Sequence, residues 1–200
     1  MIKLIQIYSG LGLLLLAAFG TLPVSAETNL IRDGGFELEL VEPGDFKLGL
    51  AAYGAWTSPA PDDCAGSTEI LGLPLPHALG VLSVNPLPAY EGDEAINLGP
   101  CFGRGSVSQV FTTTVGTRYL ASLAVIGGTV TATVFNAGQT DLAADFVAPE
   151  GNVWGTDSYE FTATHTTTTI VVQNTSPRTG ICCAPTIDDV RITSVAPELN

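Results

Sequence analysis

Arg118-Tyr119-Leu120-Ala121-Ser122-Leu123-Ala124-Val125-Ile126, then Gly127-Gly128, then Thr129-Val130-Thr131-Ala132-Thr133-Val134-Phe135-Asn136 is the stretch on which the fold turns. In the first run Tyr119, Ala121, Leu123 and Val125 alternate with Leu120, Ser122, Ala124 and Ile126. A period of two with apolar residues on both sides describes a strand buried on one face and nearly so on the other. In the second run Val130, Ala132 and Val134 alternate with Thr129, Thr131 and Thr133, an amphipathic strand. Valine, threonine and aromatics fit a pleated, half-buried surface. The glycine pair between the runs predicts a two-residue hairpin.

Outward from there the same grammar repeats. Residues 81–84, 95–98, 106–112, 142–147, 158–164, 167–173 and 187–193 read as further strands, punctuated by glycines such as Gly105, Gly116, Gly138 and Gly151. Asn29-Leu30-Ile31 reads as a short strand running into a bend at Gly34-Gly35. Residues 38–61 are loop-rich, and residues 62–88 are broken by Pro74, Pro76, Pro86 and Pro88, which exclude helix. No run outside the amino terminus carries a 3.6-residue period. The expected fold is all-β, a jelly-roll β-sandwich of mainly antiparallel strands.

Residues 1–26 have the layout of a secretory signal peptide. Lys3 is the positive region, residues 11–19 the apolar region, and Val24-Ser25-Ala26 the small-residue cleavage site. The expectation is therefore one β-sandwich domain over residues 27–200, secreted, extracellular or periplasmic, with no membrane insertion once the leader is removed. The chain carries 7 Lys and Arg against 20 Asp and Glu, for a net charge of −13. That excludes nucleic acid, whose phosphates require a basic face, and disfavours attachment to an anionic membrane. Four cysteines, Cys64, Cys101, Cys182 and Cys183, fall after the leader, an even number in an oxidising compartment. Neighbouring Cys182 and Cys183 make a strained pair, so the expected bridges join Cys64 and Cys101 each to one of those two, in either order.

For catalysis the inventory is thin. The chain has two histidines, no G-x-S-x-G elbow, no P-loop and no H-E-x-x-H. Glu91, Asp93 and Glu94 cluster in one loop, which keeps a glycosidase carboxylate pair open, although clustered loop acids are usually solvated. Aromatic faces stack sugar rings, which singles out Tyr53 and Trp56 in the loop-rich third. Tyr90, with Asn97 and Arg104 nearby in sequence, makes a polar ligand rim. Trp154, just ahead of Tyr159-Glu160-Phe161, reads as a core residue. Asn174-Thr175-Ser176 is a glycosylation sequon.

Near the carboxy end, Cys182-Cys183-Ala184-Pro185-Thr186-Ile187-Asp188-Asp189-Val190-Arg191-Ile192 is a loop running into a strand that opens on two carboxylates. Strict alternation puts Asp188 on one side with Val190 and Ile192, a costly place for a charge unless donors or a cation meet it. The alternatives are a capped turn and a structural ion.

Four motifs recur in order: Asn29-Leu30-Ile31 with Gly34-Gly35-Phe36-Glu37 and Trp56; Val107-Ser108-Gln109-Val110-Phe111; Gly116-Thr117-Arg118-Tyr119-Leu120; and Cys183-Ala184-Pro185 with Ile187-Asp188-Asp189-Val190. This series resembles the galactose-binding-like β-sandwich superfamily, and within it exported carbohydrate-binding modules and cell-wall-associated families. The resemblance implies a non-catalytic protein that binds polysaccharide or glycan, the alternatives being a structural or adhesive partner of a cell-wall protein and a polysaccharide-active hydrolase. It also implies a structural Ca²⁺ held where first and last strands meet, with Glu37 and Asp188 as the matching carboxylates and Asp189 a third. The family pattern has Cys-Gly-Pro where this chain has Cys183-Ala184-Pro185, and Cys182 is an added neighbour.

Overall fold

The computed structural model describes residues 28–38, 46–48, 52–58, 80–83, 89–99, 105–136, 139–177 and 184–196. The leader, all four cysteines and Arg104 lie outside the described residues. The described strands are β1 (Phe46–Leu48), β2 (Ala52–Tyr53), β3 (Trp56–Thr57), β4 (Gly80–Ser83), β5 (Glu94–Asn97), β6 (Ser106–Thr112), β7 (Arg118–Ile126), β8 (Thr129–Asn136), β9 (Gln139–Val147), β10 (Gly155–Thr162), β11 (Thr167–Asn174) and β12 (Thr186–Ser194). They build two six-stranded sheets, β1-β4-β5-β12-β7-β10 and β2-β3-β6-β11-β8-β9. The pairings are antiparallel. From β5 onward the chain changes sheet at almost every connection, the wiring of a jelly roll, with β8–β9 the exception.

The core lies between the sheets. Tyr119, Ala121, Leu123 and Val125 of β7 meet Val130, Ala132 and Val134 of β8, with Val107, Phe111, Ile170 and Val172 completing the layer. Each large aliphatic or aromatic side chain buried here contributes about 1.5–3 kcal/mol.

The hairpin expected at Gly127-Gly128 does not form. β7 hydrogen-bonds on one edge to β12 and on the other to β10, so neither edge is free for β8. The glycine pair instead carries the chain across the sandwich to the second sheet. Gly127 has a φ of 80°, and a Cβ on Gly128 would collide with the Ser176 hydroxyl and crowd Pro185.

The first segment is bound to the last strand by more than backbone bonds. Leu30 donates to the Ile192 carbonyl (2.9 Å), and Val190 donates to Gly34 (2.9 Å). Asn29 adds a side-chain clamp: its Oδ1 accepts from Ile31 and Ile192, and its Nδ2 donates to Val190. A Cβ on Gly34 would strike the Val190 carbonyl, so only glycine allows this approach. Residues 29–37 form a bend rather than the expected short strand, steadied from the second sheet by Gln109, whose amide exchanges two 2.8 Å bonds with the Arg32 backbone. The loop-rich region contributes β1, β2 and β3, which its sequence did not announce.

Alternation also fails in β12. The pairing with β7 shifts between Asp188 and Arg191, and Asp189 has a φ of 47°. This bulge separates Asp188 from Val190 and Ile192. Ile187, Val190 and Ile192 enter the core, whereas Asp188 pairs with Ala124 on the outer face of its sheet.

Candidate functional site

The outer face above Asp188 is covered by the short loop that leads into β5. Asp188 has 0% exposure, and its Oδ2 accepts the backbone N–H groups of Tyr90 (2.8 Å) and Glu91 (3.0 Å). Its Oδ1 accepts from Asp189 (2.6 Å). Glu37 holds the other end of the loop: its Oε1 accepts from Asp93 and Glu94, both at 2.9 Å. Two carboxylates from opposite ends of the chain therefore pin one five-residue segment, residues 90–94. Burial pushes the Asp188 carboxyl up to about 7, against the pull of the three N–H bonds and with the Asp189 charge adding to the rise.

A Cβ on Gly35 would sit 3.9 Å from Asp188 Oδ1 and 3.9 Å from the Glu37 Cγ. Calcium takes oxygen ligands, and both Asp188 oxygens and Glu37 Oε1 already accept backbone N–H groups. Asp189, the third candidate, is engaged elsewhere, by Arg191 Nε at 2.5 Å. The Gly34 carbonyl is already bonded to Val190. Among the described residues no three His, Cys, Asp or Glu side chains gather at one point.

The pinned loop presents Tyr90, 47% exposed, edge-on to Trp154, with ring centroids 6.0 Å apart and planes at 62°. Trp154 is half-buried and Val153 beside it is 56% exposed. The sequence placed Trp154 in the core; it sits instead at the entrance to edge strand β10, where a ring has the loop on one side and solvent on the other. Next to the aromatic pair, Arg191 bridges Asp189 and Glu91 (2.8 Å). The hydrogen bond with Asp189 and the Arg191 charge hold Glu91 below the usual glutamate range, whereas burial pushes Asp189 up.

Tyr53 and Trp56 do not belong to this surface. At 1% and 0% exposure they are enclosed, because the β2–β3 hairpin folds its aromatic side onto the first segment. Trp56 donates its indole N–H to the Asp33 carbonyl (2.8 Å) and packs its ring on Phe36 at 5.5 Å. Tyr53 donates its hydroxyl to Glu94, which is itself buried. Stacking a ligand from outside is closed to both. Asn97 is also structural: its amide ties to the Ala184 carbonyl and the Thr186 hydroxyl. Among the described residues of the predicted rim, Tyr90 alone is placed to meet a ligand.

The acids of this loop do not converge as a glycosidase pair. Glu94 points into the core, while Glu91 and Asp93 face solvent. Asn174 of the sequon is buried, with its Nδ2 donating to Leu98, so the folded chain offers no acceptor there. Trp154 and Arg191 are the site residues the sequence missed. Their signal was positional: a strand entrance and a bulge bring them to Tyr90, and neither has a sequence motif.

Among solved structures, the fold matches TmCBM61 in complex with β-1,4-galactotriose with a TM-score of 0.57 at 18% identity, over 84% of this chain and 100% of that one. It matches a cyclase from Fischerella sp. TAU with a TM-score of 0.62 at 16% identity, over 84% and 98%. A third match, the enzymatically active domain of bacteriophage CBA120 tailspike protein 4, has a TM-score of 0.52 at 12% identity and covers 84% of this chain but 21% of that one. At these identities the likeness establishes the fold, a β-sandwich, and a fold hosts several activities. No curated protein matches the chain. The family model described as "Protein of unknown function (DUF642)" matches residues 84–193, more than half of the chain, and the chain belongs to that family.

Proposed function

We propose that this is an exported, non-catalytic carbohydrate-binding module that takes glycan at Tyr90 and Trp154. The observation that carries the reading is the half-exposed aromatic pair on a loop fixed by two carboxylates. An edge-to-face pair offers an apolar ring face for the C–H surface of a sugar. Glu91, Asp93 and Arg191 supply hydrogen-bonding groups around it. Pinning the loop before ligand arrives reduces the ordering cost of binding. The β-1,4-galactotriose complex of the structural neighbour TmCBM61 supports a sugar ligand for this fold. Absence of a converging carboxylate pair among the described residues supports binding without hydrolysis.

The same reading includes a structural Ca²⁺ held by Glu37 and Asp188, which would supply the positive charge that the Asp188 pocket lacks. Export rests on the leader pattern of residues 1–26. A glycan array tests the central part. The purified protein should retain a defined set of glycans, and Tyr90→Ala should lose them. Retention of no glycan by the intact protein, or full retention by Tyr90→Ala, would overturn the assignment.

A further inference from the structure

The charge around the aromatic pair selects among sugars. Tyr90 and Trp154, with exposed Val153, form the apolar floor. Glu91 follows Tyr90 directly, with its side chain 55% exposed, and solvent-facing Asp93 is in the same turn. The cation within this group, Arg191, is shared between Glu91 and Asp189. Glu91 and Asp189 thus share one guanidinium, and Asp93 adds a third carboxylate in the same turn as Glu91. Among the described residues the balance remains negative whether or not a divalent ion neutralises Glu37 and Asp188 beneath the loop. The rest of the molecule adds to the field, with a net charge of −13 over 200 residues.

Resting on the glycan reading above, we infer that the Tyr90–Trp154 site prefers glycans bearing free amines, that is, polymers of 2-amino-2-deoxy sugars, over neutral or acidic ones. An ammonium beside the rings gains attraction to their faces and to the carboxylates of Glu91 and Asp93, while the rest of the sugar covers the apolar floor. A uronate or sulfate brought to the same place meets like charge. A cation–π contact at an exposed site and an exposed ion pair contribute about 0.5–1 kcal/mol each, together about a tenfold preference.

The experiment uses short β-1,4-linked glucosamine oligomers in fully acetylated and fully deacetylated forms, one backbone differing only in its amines. Affinities are measured by calorimetry in buffer acidic enough to protonate the amine, with circular dichroism confirming that each variant is folded. The expected result is about tenfold tighter binding of the deacetylated oligomer, shrinking as salt is raised. The double variant Glu91→Gln, Asp93→Asn should bind the two forms alike, and Tyr90→Ala should bind neither. Equal affinity of the intact protein for both forms overturns the amine preference and leaves the glycan reading standing. So does failure to bind either oligomer while another neutral glycan is held through Tyr90. Survival of the preference in Tyr90→Ala overturns it as well, since diffuse attraction to an acidic chain would then be the cause. Failure to bind any glycan overturns both.

Discussion

Two aromatic pairs in this molecule have nearly the same composition and opposite situations. Phe36 and Trp56 pack 5.5 Å apart with Trp56 wholly enclosed, its indole N–H spent on the Asp33 carbonyl. Tyr90 and Trp154 meet at 6.0 Å with Tyr90 about half in solvent. The chain has just two tryptophans, one in each pair. The first pair joins the amino-terminal bend to the β2–β3 hairpin and so closes the sandwich. The second lies outside the core, at the entrance to β10. What separates them is the surface each loop covers: the hairpin folds over the core, while the 90–94 loop lies on the outer face of a finished sheet.

The largest expected effect separates the pairs by stability. Trp56→Ala should cost about 3–5 kcal/mol, the usual price of emptying a large aromatic site, whereas Trp154→Ala should stay near or below about 1 kcal/mol. Chemical denaturation of the two variants measures this, and similar costs would erase the distinction drawn between the regions.

The proposed calcium would act next, on the anchor beneath the exposed pair. At about a hundred times its dissociation constant the ion should add roughly 2.7 kcal/mol of stability. Thermal melts with calcium and with chelator check it, and Asp188→Ala should abolish the difference. A wild-type melt unchanged by complete chelation removes the ion from the account.

A pH-dependent effect follows from Asp188 alone. Its carboxyl titrates at about 7 in the fold against 3.8 ordinarily, so between those values the folded chain holds a proton that the unfolded chain has released. In chelator, this group should make stability fall as pH rises through that window, by at most about 1.4 kcal/mol per unit, and its cost is complete above it. Asp188→Asn keeps an acceptor for Tyr90 and Glu91 without the charge, and should flatten that part of the profile. Identical slopes for the two proteins would place the titration elsewhere.

The sandwich was legible because unbroken alternation marks strands well. β6, β7 and β8 occupy the residues that their patterns defined, 106–112, 118–126 and 129–136. Which strand lies beside which was not legible. A Gly-Gly step says that the chain turns, and only the occupied edges of β7 decide that it crosses to the other sheet. The bulge at Asp189 was hidden for a related reason, since a single residue at φ 47° reverses every later side chain without changing composition. Glu37 and Asp188, from opposite ends of the chain, each bond one end of the same loop. The shared target of their bonds, the 90–94 loop, was invisible in the sequence. The two tryptophans were assigned the wrong way round, since the richness of a neighbourhood in loops does not say which sheet face those loops cover.

The most direct test reads each pair through its own tryptophan. Trp154→Phe leaves Trp56 as the sole indole, and Trp56→Phe leaves Trp154. With a glycan identified on the array, Trp154 emission should change on titration and its quenching by acrylamide should fall, because the ligand covers the ring. Trp56 emission should be blue-shifted, poorly quenched and indifferent to the same glycan. A glycan response from Trp56 together with a silent Trp154 would contradict the account at its centre.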